Sequence, residues 1–381
     1  MKGFKLMSMK VATVVGTRPE IIRLSRIISK LSEVTNHTLI HTGQNFSKSL
    51  NDVFFKDLMI PEPTYRLDCA AKNSVHTIAN VLKETYDVFE KIKPDAVLVL
   101  GDTNSALSAL SAKRLKIPVF HFEAGNRSFD DRVPEEINRR IVDHIADINL
   151  TYSQISREYL LKEGIRSDTI IKIGSPMNEV ISFYKDKIET SIIKKELSIE
   201  NKKFILISCH REENIEPDEK FKLFTTLLNK LSQSFEGAVI VTTHPRTRKK
   251  ILNSKYKIMD NVILHDPFSF TDYCKLQKDA VVVISDSGTI AEESSILEFN
   301  AINIRDSHER PESMEECSTI LSTMDFDEVT NKINILINAD QRSMGHVNKT
   351  KDYEDKNISE KIIRIIYGYT SFVNREIWKK Y

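Results

Sequence analysis

Short apolar runs alternate with amphipathic stretches along the whole chain. Strands covered on both faces read as near-continuous apolar runs, and the helices between them carry a 3.6-residue period. The alternation therefore predicts parallel sheets wrapped by helices. In the first half the runs predict strands at Lys10–Val15, His37–His41, Asp95–Leu100, Ile117–Phe122, Ile148–Thr151 and Ile170–Ile173. In the second half they predict Phe204–Ser208, Ala238–Thr242, Val262–His265, Ala280–Ser285 and Ala301–Ile304. Between the two sets, Gly174–Asn178 and a charged, strand-free stretch to Lys203 read as a linker plus a helix. The expected fold is α/β, with two Rossmann-like doubly wound domains facing across a cleft, divided as residues 1–174 and 175–358. A last helix, about residues 359–381, carries Ile362, Ile363, Ile366 and Tyr367 at helical spacing and is expected to pack back on the first domain.

Bulk properties narrow the function. The 381 residues leave room for two domains, each with its own core. A net charge of +1 gives no polyanion footprint, so no nucleic-acid partner is expected. No apolar run reaches the ~18–20 residues of a membrane span, and residues 1–10 are too short and mixed for a signal peptide, so a cytoplasmic protein is expected. Cys69, Cys209, Cys274 and Cys317 are far apart, and free thiols are the default. With no HExxH or EF-hand pattern, no metal site is expected.

The strand ends carry the chemistry. In open α/β sheets, ligands bind at the carboxyl edge of the strands. The first strand runs into Gly16-Thr17-Arg18-Pro19-Glu20, where Gly16 permits a tight turn and Pro19 suits the first helical position. Arg18 is then aimed past the edge, toward a phosphate or carboxylate. This is not GxGxxG, so a tightly held nicotinamide cofactor is disfavoured. Asp95–Leu100 ends in Gly101-Asp102-Thr103-Asn104, and Ile117–Phe122 ends in Glu123-Ala124-Gly125. Asp102 also reads as a helix N-cap. Beyond Gly125, Pro134-Glu135-Glu136 opens a charged helix whose pairs Glu135/Arg139, Glu136/Arg140 and Arg139/Asp143 also suit a solvated face. Crowding of Asp102, Glu123 and Glu135 on one edge would raise at least one pKa and divide acid and base roles.

The second half repeats the theme. Cys209-His210-Arg211 follows one strand, His244-Pro245-Arg246 the next, and Ser285-Asp286-Ser287-Gly288-Thr289 another, with Glu292 and Glu293 on the helix behind. His210 reads either as structural or as a phosphate or proton-transfer group. The hydroxyl-rich turn at a helix N-terminus suits phosphate, and a carboxylate one turn in suits ribose hydroxyls. Arg310 is a further candidate phosphate clamp.

Taken in order, GTRPE (16–20), GDT (101–103), EAG (123–125), PEEINR (134–139), HRE (210–212), DSG (286–288) and RDSHERPE (305–312) resemble the non-hydrolysing UDP-N-acetylglucosamine 2-epimerases over nearly the whole chain. The resemblance implies the two-domain architecture of GT-B glycosyltransferases, a homodimer, and a UDP-sugar substrate bound in the interdomain cleft. By position it makes Arg18, Asp102, Glu123, Glu135 and His210 active-site residues. Ser287, Gly288, Thr289, Glu293 and Arg310 fall in its UDP-binding set, with His244 a further substrate contact and Tyr273 placed against uracil. Arg23 stands where the family has a lysine. The implied route eliminates UDP from C1 as the C2 proton departs, then re-adds it to the bound glycal with protonation from the other face; it needs neither metal nor nicotinamide.

The chain also departs from the family's main branch. The segment Gly125-Asn126-Arg127-Ser128-Phe129-Asp130-Asp131 is shorter, Glu213 follows His210-Arg211-Glu212, Thr289 replaces a glycine, and Asn45 follows Gln44 where a histidine is usual. The altered loop resembles the branch that forms UDP-N-acetyl-L-fucosamine for capsule or O-antigen, and the change beside Gln44 implies loss of allosteric activation by UDP-GlcNAc. UDP-GlcNAc/UDP-ManNAc interconversion is the alternative within the family. A GT-B glycosyltransferase and a nucleotide-sugar sensor are the alternatives outside it.

Overall fold

The computed structural model describes residues 9–44, 55, 57–243, 245–305, 310–341 and 349–380. His244, Asn45 and residues 306–309, singled out in the sequence, lie outside the described residues. The chain divides into two compact units, Met1–Val180 with Asp355–Tyr381, and Ile181–Glu354.

The first unit is built on a parallel sheet of β1 (Lys10–Val15), β2 (Asn36–His41), β3 (Tyr65–Arg66), β4 (Ala96–Leu100), β5 (Val119–Phe122), β6 (Ile148–Thr151) and β7 (Ile170–Lys172), in the order β3-β2-β1-β4-β5-β6-β7. The second holds β8 (Phe204–Ser208), β9 (Ala238–Thr242), β10 (Val262–His265), β11 (Val282–Ser285), β12 (Ala301–Asn303) and β13 (Ile320–Leu321), in the order β10-β9-β8-β11-β12-β13. Both are doubly wound, and in each the strand order reverses beside the first strand, between β1 and β4 and between β8 and β11. Every residue of β4 and β8 is buried, as helices on both faces require. The helix after β1, Arg18–Val34, buries Ile21, Leu24, Ile27, Ile28 and Leu31, a spacing of three and four that turns one stripe inward.

Most expected strands stand within two residues of their predicted bounds, and the deviations have local causes. Ile117 is still tied to the preceding helix through its N–H to Ala112 O (3.0 Å), and Pro118 has no N–H to give a ladder, so β5 begins at Val119. Ala280 caps the helix Phe270–Asp279, which delays β11 to Val282. The two edge strands β3 and β13, two residues each, are too short to show any alternation. The strand-free stretch after β7 holds three short helices, Met177–Phe183, Lys185–Glu189 and Ile193–Glu196. The last helix, Ile358–Glu376, packs on Arg18–Val34, burying Ile362, Ile363 and Ile366, while Tyr367 donates its hydroxyl to Val34 O (3.0 Å). Among the described residues, no helix is long and apolar enough to cross a membrane. All four cysteines are free.

Candidate active site

At the carboxyl edge of the first sheet, Thr17 and Glu20 form a capping box. Glu20 is fully buried and accepts four hydrogen bonds: from Gly16 N (3.0 Å), Thr17 N (2.7 Å) and Thr17 Oγ1 (2.8 Å), and from Thr103 Oγ1 on the turn after β4 (3.0 Å). All four donors are neutral, and desolvation outweighs them, pushing the Glu20 pKa up to about 7. Gly16 serves close approach rather than a special dihedral angle, since a Cβ there would collide with Ser105 Oγ and Thr42 Oγ1. Arg18 is the first residue of the helix, with Pro19 one position later than expected, and its guanidinium is half-buried.

Two carboxylates on this edge are bridged by buried arginines. Asp102 is hydrogen-bonded to Arg139 Nη2, and Asn138 Nδ2 donates to Asp102 O (2.9 Å). The cap expected of Asp102 belongs to Thr103, whose Oγ1 accepts from Ser105 N (3.3 Å). The Asp102 carboxylate is thereby left to Arg139. Glu123 is buried, ion-paired with Arg23 and within 3.3 Å of Asn126 Nδ2, while Arg23 also lies 5.8 Å from the Tyr152 ring centroid. Glu123 has φ +68°, a left-handed conformation that costs a non-glycine residue on the order of 1 kcal/mol.

The charged helix Pro134–Ile145 keeps the Glu136/Arg140 pair but is not the solvated face that its spacing also allowed. Glu136, Arg139 and Asp143 are buried, not solvated, and they anchor the loop after β5. Glu136 accepts from Ser128 N (2.9 Å), Ser128 Oγ (3.0 Å), Arg139 Nη1 (2.7 Å) and Arg140 Nη2 (3.1 Å). Asp143 accepts from Gly125 N (3.1 Å) and Arg127 Nη1 (2.7 Å). Arg127 is buried and forked onto Glu163 (2.7 and 2.6 Å). Glu135 stands exposed in the first turn. Glu20 is lifted toward neutrality, and burial lifts it rather than crowding. The S/T-x-x-E spacing of Thr17 and Glu20 was the signal that could have found it.

In the second unit, Asp286 organises the edge. It accepts from His210 N (3.0 Å), Arg211 N (3.0 Å) and Asn214 Nδ2 (3.1 Å), and His210 Nδ1 lies 3.4 Å away with the ring half-exposed. Ser287 Oγ and Thr289 Oγ1 are 2.9 Å apart at the start of the helix Ile290–Leu297, where Thr289 holds the N-cap position without a side-chain cap hydrogen bond. Among the described residues no side chain crowds Gly288; the nearest atom to a Cβ there would be Arg305 Nη1 at 3.6 Å. On that helix Glu292 and Glu293 are both buried, where Glu292 accepts from Arg310 Nη2 (3.4 Å) and Glu293 from Gln277 Nε2. Tyr273 is hydrogen-bonded to Ser208 at the tip of β8, and burial raises its phenol pKa. Among the described residues, no three His, Cys, Asp or Glu side chains are grouped to hold a metal ion.

The structure thus gathers Arg18, Arg23, Asp102 and Glu123 at the edge of the first sheet. It gathers His210, Tyr273, Ser287, Gly288, Thr289, Glu293 and Arg310 at that of the second. Residues 29–367 match the protein family described as UDP-N-acetylglucosamine 2-epimerase. The structure of UDP-N-acetylglucosamine 2-epimerase from Rickettsia bellii superposes with a TM-score of 0.90 at 43% identity, covering 98% of this chain and 100% of that one. The Methanocaldococcus jannaschii UDP-GlcNAc 2-epimerase, solved in complex with UDP-GlcNAc and UDP, gives a TM-score of 0.84 at 31% identity over 94% of this chain and 100% of its own. A UDP-2,3-diacetamido-2,3-dideoxy-D-glucuronate 2-epimerase from Pseudomonas aeruginosa is 33% identical over 307 residues, 79% of this chain and 84% of that protein. The chain belongs to the UDP-N-acetylglucosamine 2-epimerase family.

Proposed function

We propose that the protein is a UDP-N-acetylhexosamine 2-epimerase that inverts C2 by eliminating and re-adding UDP. The observation that carries this reading is the pair Asp102 and Glu123, each on a strand tip of the first sheet and each bridged by a buried arginine. A C2 proton with no adjacent carbonyl is too weakly acidic for direct removal. Loss of UDP from C1 as that proton leaves gives a neutral glycal. Elimination requires a group to take the proton from one face, and re-addition requires another to supply one from the opposite face, each worth about 10²–10⁴-fold. Asp102, Glu123 and Glu135 are the proposed acid–base groups, with Arg18 and His210 on the leaving diphosphate. Ser287, Gly288 and Thr289, with Glu293 and Arg310, hold the nucleotide; Tyr273 and His244 complete its contacts. No redox step occurs, and no cofactor is invoked.

The proposed substrate is UDP-2-acetamido-2,6-dideoxy-L-talose, converted in the cytoplasm to UDP-N-acetyl-L-fucosamine for a surface polysaccharide. Support comes from the altered loop, which Asp143 and Glu136 pin at Gly125, Arg127 and Ser128 and which presents an exposed Phe129. A homodimer is part of the proposal, supported by exposed Leu110, Ile137 and Ile141 on two helices that pack together. The test is NMR in D₂O of the enzyme with this sugar and, separately, with UDP-GlcNAc. Deuterium at C2 with epimer formed from the L-sugar alone is the expected result. Exchange with UDP-GlcNAc assigns the other substrate, and exchange with neither overturns the epimerase reading in favour of a transferase or sensor.

A further inference from the structure

His121 lies in β5, two residues before Glu123, and is wholly buried. Both nitrogens of its ring face acceptors. Nε2 lies 2.8 Å from Gly101 O, and a carbonyl has no proton to give, so Nε2 carries one. Nδ1 lies 2.9 Å from Asp143 Oδ1, an approach bent away from a linear hydrogen bond, so its strength is Coulombic. Asp143 is at the same time accepting from Gly125 N and Arg127. Burial alone would raise its pKa, but His121 and Arg127 outweigh burial and hold it below the usual carboxylate range. The Arg127 guanidinium at 2.7 Å and the Gly125 N–H at 3.1 Å are donors that no carboxyl proton could face, so Asp143 is ionised. A bare nitrogen lone pair 2.9 Å from an ionised oxygen, away from water, is repulsive; a proton on Nδ1 makes the contact attractive. Turning the ring over would put carbon atoms against both acceptors. The charges then balance, with Asp143 and Glu163 against Arg127 and His121, and His144 touching Glu163 at the outer end (3.3 Å).

We infer that His121 is held as an imidazolium and is a positioning residue that clamps the turn carrying Asp102 to the strand carrying Glu123 and to the loop beyond it. Gly101 immediately precedes Asp102, so the Nε2 hydrogen bond fixes the backbone from which that carboxylate projects. The Asp143 contact fixes Gly125 and Arg127 from the other side. A neutral ring could satisfy one of these partners but not both.

The catalytic consequence rests on the epimerase reading; the charge state does not. The intact protein, labelled with ¹⁵N in its histidines, is examined by NMR at about pH 7. The expected spectrum shows both His121 nitrogens protonated. A ring nitrogen without a proton near pH 7 overturns the inference. His121→Gln, which keeps a donor but not the charge, is expected to lower kcat for C2 exchange at least about tenfold, with KM and UDP affinity within about twofold. An unchanged kcat in a folded His121→Gln overturns the positioning role. If the wild-type enzyme exchanges no C2 proton on either UDP-sugar, the functional reading falls, and the spectrum still decides the charge of His121.

Discussion

At the first switch point, the buried Glu20 hangs from the tip of β1 and reaches across to Thr103 beyond β4. At the second, the buried Asp286 hangs from the tip of β11 and reaches back to the backbone N–H groups of His210 and Arg211 beyond β8. The strand order is the same, and in both a carboxylate ties the two central tips together. The surroundings differ. Around Glu20 the remaining carboxylates are matched with guanidinium groups: Asp102 with Arg139, Glu123 with Arg23, Asp143 with Arg127. Around Asp286 stand hydroxyls and an uncrowded glycine at a helix start, the materials of an anion cradle. Topology supplies a crevice at each switch point, and the tip residues decide whether it suits proton transfer or phosphate.

Substitutions break this comparison at different depths. The largest effect is expected from Glu123→Gln, which removes a proposed acid–base group and should lower C2 exchange by about 10²–10⁴-fold, read by deuterium uptake. Asp143→Asn leaves Arg127 and His121 buried against a neutral amide. It should destabilise the first unit by about 3–5 kcal/mol in urea unfolding near pH 7. Because the Asp143 pKa is depressed in the folded state, that difference should shrink as pH falls through the acidic carboxylate range. Glu20→Gln sharpens the contrast in the other direction. The folded pKa of Glu20 is raised from 4.5 to about 7, so the folded state holds its proton more tightly than the unfolded one. Stability is fully present below pH 4.5 and lost as pH rises to about 7. The amide mimics the protonated acid, so the variant should match wild type at about pH 4 and exceed it by up to about 3 kcal/mol near pH 8. The smallest effect is assigned to Arg310→Ala, expected to weaken UDP binding by about ten- to a hundredfold in calorimetry, with an unchanged dissociation constant removing Arg310 from the clamp.

The sheets were legible because parallel strands buried on both faces announce themselves as apolar runs. β1, β6, β8, β9 and β10 fall at their predicted bounds. The tips stood out because glycine, carboxylate and arginine follow directly on apolar runs, although Gly16 and Asp286 also serve the fold there. What was hidden depends on tertiary partners. Nothing local told whether Glu136, Arg139 and Asp143 faced water, since i,i+4 spacing is the same on either face; their burial follows from partners far along the chain, Asp102, His121 and Arg127. The cap at Thr103 rather than Asp102 was a choice between adjacent residues that only Arg139 resolves. His121 was masked by its strand, where it reads as one more core position.

The division of roles between the two switch points is tested most directly by Asp102→Asn, with C2 deuterium exchange and UDP affinity measured on the same preparation. The account predicts exchange lower by at least about a hundredfold with the UDP dissociation constant within about threefold of wild type. Exchange at the wild-type rate, or a parallel collapse of both quantities in a folded protein, would contradict it.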